Sequence, residues 1–177
     1  NPEFSLERLV IYTTRPIRDG ELDGREYHFV TEEDFQKLKA EGKIIEDRGY
    51  ETVYGLWRYF TADNMNLEEK SYLGIGTLES YEKLKAYYGE EKIRPIYIEV
   101  EDGERLKRAI AREETQEVPK YEEMCRRFLA DEEDFKEENL VRCGIDRRYR
   151  NDDLRVCLEE ICRDMKAVME QGAGCRE

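Results

Sequence analysis

Histidine is all but missing from this chain: His28 stands alone among 177 residues, beside five cysteines and one tryptophan. The cysteines, at positions 125, 143, 157, 162 and 175, never form a Cys-x-x-Cys pair, and one imidazole cannot complete a zinc ligand set with them. Their spacing argues against a metal site and a disulfide framework, and reads as reduced thiols in a cytoplasmic protein. No run approaches the ~18 apolar residues of a membrane span, and no stretch reads as a signal peptide. Positive charge is in deficit, with 30 Lys and Arg against 43 Asp and Glu and a net charge of −13. A general nucleic-acid binder needs a broadly basic face, so that class is disfavoured. A small anionic ligand is not, because a few clustered arginines outweigh distant acids.

What is present is strong periodicity in a chain that is 41% charged, long enough for one domain with a core. Leu9-Val10-Ile11-Tyr12 reads as a buried strand and Tyr27-His28-Phe29-Val30 as a second. Thr31, followed by Glu32, Glu33 and Asp34, opens a helix with apolar Phe35 and Leu38 that Gly42 ends. Residues 43–60 alternate loosely and hold several aromatics, as in a small antiparallel sheet. Tyr72-Leu73-Gly74-Ile75-Gly76 reads as a strand, then a helix over 78–88 stopped by Gly89, then a strand at Ile96, Ile98 and Val100. Helices follow from about Glu104 and behind Pro119, whose fixed φ suits a first helical turn. Asn151 is expected to cap a last helix carrying Leu154, Leu158, Ile161, Met165 and Val168. The tail 171–177 is expected to fray. Strands alternating with helices predict an α/β layered domain with a largely parallel sheet.

The densest chemistry lies between Thr13 and Val30. Arg15 and Arg18 stand three apart at a strand end, with Pro16 and Gly20 shaping the turn. Two guanidinium forks so placed can converge on one phosphate, and the Tyr27 hydroxyl can add a hydrogen bond. The alternative is a solvated turn in which the arginines pair with Asp19 and Glu21.

The full string, Thr-Thr-Arg-x-x-Arg-x-Gly-Glu-x-x-Gly-x-x-Tyr-x-Phe-Val, is similar to the acceptor-binding signature of guanylate kinases. Ile45-Glu46, Tyr54-Gly55, Arg126-Arg127-Phe128-Leu129-Ala130 and Asn151-Asp152-Asp153-Leu154 continue the resemblance in order, from about Leu6 to Met165. It implies a P-loop NTPase-like three-layer domain over residues 1–170. Within that would lie a small antiparallel acceptor-binding subdomain at about 13–60 and a helical lid at about 108–130. It implies that Arg15, Arg18, Tyr27 and Tyr54 surround an acceptor phosphate and that Glu46 accepts from the guanine amide and amine. Arg127 would bridge donor and acceptor phosphates, Arg108 and Arg112 would be lid arginines, and Asn151 would pass the adenine. The implied partners are ATP with Mg²⁺ and a small nucleotide or other phosphorylated acceptor. Neither a nucleic acid nor a membrane is among them.

The pattern also departs from that family. The Gly-x-x-x-x-Gly-Lys-[Ser/Thr] loop that cradles ATP phosphates does not occur in these residues; the resemblance places it ahead of Asn1, and the chain does not open with Met. Ile11 and Leu56 stand where the family has hydroxyls, and Gly74 and Gly76 where it has a pair of aspartates. A kinase acting on GMP or a related phosphorylated acceptor, such as ribose 1,5-bisphosphate, is the leading expectation. The second is an inactive guanylate kinase-like module that binds a phosphorylated ligand or peptide.

Overall fold

The computed structural model describes residues 4–52 and 55–173, with side chains to residue 169. Its contacts divide into two compact units, residues 1–93 and 94–177. The first is built on a four-stranded sheet in the order β3-β2-β5-β4. These strands are β2 (Tyr12–Thr13), β3 (His28–Phe29), β4 (Ile44–Thr52) and β5 (Gly55–Ala62). The hairpin of β4 and β5 is antiparallel and β2 continues it antiparallel to β5, whereas β3 runs parallel to β2. A further parallel pair joins β1 (Leu6–Arg8) to β6 (Ser71–Leu73). Leu9, Val10 and Ile11 lie between β1 and β2 as a connector, and Gly74 and Gly76 lie past the end of β6, so both expected strands are shorter than their apolar runs.

Helix α1 (Glu32–Ala40) starts where its sequence says it should. The Thr31 side chain accepts from the Asp34 amide and Asp34 reaches back to the Thr31 amide, a reciprocal capping box. Its Phe35 is fully buried against Phe60 of β5 (ring centroids 5.1 Å apart), with Tyr12, Val30, Leu38 and Ile44 around them. This apolar layer covers one face of the sheet and leaves the other for polar groups. Helix α2 (Leu78–Tyr88) is capped by Thr77 and ends at Gly89, whose φ of 96° lies in the left-handed region that glycine tolerates. Tyr87 and Tyr88 of α2 both donate to Asp63, just after β5, at 2.9 and 2.7 Å.

The second unit pairs β7 (Tyr97–Glu99) with β8 (Arg148–Arg150) in parallel. Around them are helices α3 (Asp102–Glu114), α4 (Tyr121–Asp134), α5 (Glu137–Arg142) and α6 (Leu154–Ala173). Tyr149, Cys157 and Ile161 form its buried cluster, with Ile96 and Met165 packed on it. Three expectations are corrected here. Asn151 does not cap α6: the Asp153 carboxylate accepts from the Val156 amide at 3.0 Å, and the Asn151 amide donates to the Glu99 carbonyl at 2.8 Å, extending the β7–β8 pair. Pro119 lies outside α4, before its boundary residue Lys120. Residues 171–173 are helical.

Candidate functional site

Strand alternation sorts the side chains of the hairpin onto two faces. A register shift between Ile44 and Glu46 sets Glu46 opposite Thr61, Arg48 opposite Tyr59 and Tyr50 opposite Trp57. Thr13 of β2 pairs with Tyr59 from the other side. The face away from Phe35 and Phe60 therefore carries Thr13, Glu46, Arg48, Tyr50, Tyr59 and Thr61. Tyr27 lies edge-on to Tyr59 at 5.6 Å, and Tyr50 does the same at 5.7 Å.

Arg15 enters this face two residues beyond β2. Its amide donates to the Thr13 hydroxyl at 3.1 Å, and that hydroxyl donates to the Arg58 carbonyl at 2.8 Å, which ties the loop to β5. The guanidinium is only 3% exposed. Nη1 donates to the Pro16 carbonyl and to Glu21 Oε2 at 2.8 and 3.0 Å, and Nη2 donates to Glu21 Oε1 at 2.8 Å. It lies 5.4 Å from the Tyr27 ring centre and 5.5 Å from that of Phe29. The Arg18 amide donates to the same Glu21 Oε2 at 2.8 Å. Hydrogen bonds from Arg15, then from the Arg18 amide, hold the Glu21 carboxyl below the ordinary range, and Glu21 in turn raises Arg15 against the opposing effect of burial.

The pairing of the arginine loop with an acid is therefore real, but it is a buried bidentate fork on Glu21 and not a solvated turn. Of the four groups expected around a phosphate, Arg15 and Tyr27 are in contact, and Arg18 joins them through its backbone. The Arg18 guanidinium and the Tyr27 hydroxyl have no hydrogen-bond partner among the described residues. Tyr54 lies outside the described residues. Glu46 is buried, with Oε1 accepting from the Thr61 hydroxyl at 2.8 Å and Oε2 from Arg48 Nε at 3.2 Å. A concavity of about 470 Å³ nearby is lined by Thr14, Pro16, Glu32, Leu56 and Trp57. None of the expected acceptor residues among those described lines it, so the buried ion pair, and not that hollow, is the candidate site.

In the second unit, the lid residues fall on α3 and α4. Arg108 donates through Nε to Glu104 at 2.9 Å and through Nη2 to the Asn151 carbonyl at 3.1 Å, which brings two of the expected residues together. Arg112 is in the last turn of α3, exposed, and its guanidinium has no partner among the described residues. Arg127 is exposed on α4 and leans on Glu123 of its own helix at 3.5 Å, while Arg126 holds the same carboxylate at 2.7 Å. The turn between the helices is closed by buried Glu113, which accepts from the Lys120 amide at 2.6 Å. Arg105, which sequence reasoning passed over, pairs with Glu132 and stacks 4.3 Å from the Phe128 ring centre. Its i+1 and i+3 neighbours gave no signal for that.

Tyr59 and Arg48 were also missed: only the sheet pairing puts Tyr59 on the face of Tyr27, and the strand bounds that set Arg48 on the face of Glu46 were not resolved from the loose alternation of residues 43–60. Among the described residues no three of His, Cys, Asp and Glu converge on a point that would hold a cation. No helix among them is long and apolar enough to cross a membrane. Among the described residues, Cys125, Cys157 and Cys162 are free thiols.

Comparison with known proteins gives the family. The sequence model of the guanylate kinase family matches residues 2–172. A guanylate kinase of Vibrio parahaemolyticus is 39% identical over 42% of this chain and 34% of its own length. One of Wolbachia pipientis is 29% identical over 89% of this chain and 74% of its own. The chain thus spans about a third of the length of the Vibrio relative that it matches. The crystal structure of guanylate kinase from Anaplasma phagocytophilum superposes with a TM-score of 0.57 at 22% identity, covering 93% of this chain and 77% of that one. That likeness shows the fold, a P-loop NTPase-like α/β arrangement. With the family model covering nearly every residue, this chain belongs to the guanylate kinase family.

Proposed function

We propose that this chain supplies the acceptor side of phosphoryl transfer from ATP to GMP or a related phosphorylated acceptor. The observation that carries the reading is the buried Arg15 guanidinium, locked on Glu21 beneath the Tyr27 ring. A guanidinium has five N–H donors. Three are taken by Pro16 and Glu21, which fixes the plane of the fork, and Tyr59 engages the same guanidinium from the sheet, so an incoming oxyanion would share or displace that contact. The Arg18 guanidinium and the Tyr27 hydroxyl, both without internal partners among the described residues, can close on the same phosphate. Its oxygen is itself the nucleophile, so no general base is needed, and catalysis rests on positioning and charge neutralisation. Arg108, Arg112 and Arg127 are proposed to neutralise charge on the transferring group.

ATP and Mg²⁺ are carried over from the family. The residues of this chain do not themselves fit them: they include no glycine-rich phosphate loop, and the Asn151 backbone is engaged with Glu99 and Arg108. They account for the acceptor side alone. Measuring ADP release by the full-length protein with GMP, dGMP, AMP and ribose 1,5-bisphosphate tests the proposal, with GMP expected to give the highest kcat/KM. Inertness with all four, together with preferential binding of a phosphoserine peptide over GMP, would overturn it in favour of a binding module.

A further inference from the structure

We propose that Arg48 is a specificity residue that donates to O6 of a guanine base whose N1–H and N2 amine face Glu46; the inference rests on the GMP reading above. The two side chains lie on the same face of β4, two residues apart, and Arg48 Nε meets Glu46 Oε2 at 3.2 Å. Glu46 is 2% exposed at its side chain and Arg48 18%. Burying a charged pair costs desolvation that its mutual attraction barely repays, so fold stability alone is a poor reason for it. The contact uses only Nε, and neither Nη has a partner among the described residues. On Glu46, each oxygen accepts one bond, from Thr61 or Arg48, and a carboxylate has about four lone-pair sites.

The pair thus presents, side by side, carboxylate acceptors and guanidinium donors. The pairing edge of guanine offers the complement: two donors, N2–H and N1–H, and one acceptor, O6. Adenine would set its N6 amine against the guanidinium and a bare N1 against the carboxylate, leaving buried polar groups unpaired. Arg48 also replaces donors that this chain lacks, since Ile11 and Leu56 carry no hydroxyl.

The test is calorimetric titration of the chain and of Arg48→Met with GMP, 6-thio-GMP, in which a poor sulfur acceptor replaces O6, and IMP, which lacks the N2 amine. For the unaltered chain, 6-thio-GMP is expected to bind about tenfold more weakly than GMP, the worth of one charged hydrogen bond. In Arg48→Met, GMP should fall to the level of 6-thio-GMP while the ratio of GMP to IMP, read by Glu46, stays. Equal binding of GMP and 6-thio-GMP by the unaltered chain overturns the role of Arg48 and leaves the GMP reading standing. So does an Arg48→Met variant that keeps the discrimination. Should that variant not fold, the ligand series on the unaltered chain decides. No binding of any of the three by the folded chain overturns the GMP reading itself.

Discussion

At the scale of single residues, the site turns on a carboxylate that the sequence shows as one acid among 43. The string around Arg15 and Arg18 was legible as a candidate phosphate grip. That Glu21 would be the inner partner of Arg15 was not, because both Asp19 and Glu21 lie within reach of a flexible turn and only the folded loop chooses. On the proposed role of Arg15 at the acceptor phosphate, Arg15→Ala is expected to weaken GMP binding on the order of ten- to a hundredfold in titration. An unchanged affinity would mean that the fork serves the loop alone. The same pair has a pH signature. Because the folded state depresses the Glu21 carboxyl, chiefly through Arg15, unfolding takes up protons as the medium becomes acid. The stabilisation is complete above the ordinary carboxylate range and is lost as pH falls through the depressed value. Glu21→Gln should therefore lower the melting temperature at neutral pH, and the gap to the unaltered chain should narrow on acidification. A gap that is constant with pH would show that the charge of Glu21 is not what matters.

At the scale of elements, local signals were readable wherever the chain closes its own hydrogen bonds. Thr31 and Gly42 gave α1 its ends, and Gly89 gave α2 its stop. Beyond residue 134 the reading thinned: α5 is six residues long and β8 three, too short to show periodicity, and β8 exists only through its pairing with β7. The start of α6 is an instructive error. Asn151, Asp152 and Asp153 are all good caps by residue type, and the choice falls on Asp153 because Asn151 is spent on Glu99. Asp153→Ala is expected to cost about 1 kcal/mol in urea unfolding with an unchanged slope, and Asn151→Ala distinctly less. The reverse order would restore Asn151 as the cap.

For the molecule as a whole, a net charge of −13 and the proposed anion-binding function are compatible because the charges are segregated by depth. Arg15 is buried among Tyr27, Phe29 and Glu21, where solvent screens poorly, whereas many of the acids sit on exposed helix surfaces such as those of α3 and α4. All the expected acceptor contacts on described residues, Arg15, Arg18, Tyr27 and Glu46, belong to the first unit. An acceptor that binds only the folded state stabilises it by mass action, about 2.7 kcal/mol at a hundred times its Kd. In hydrogen exchange, GMP at such an excess should therefore slow the amides of β2, β4 and β5, whose hydrogen bonds hold the grip together. Amides of β7, β8 and α6 should slow only as far as the second unit opens together with the first. Protection confined to β7, β8 and α6 would place the acceptor in the other unit and remove the arginine loop from its role.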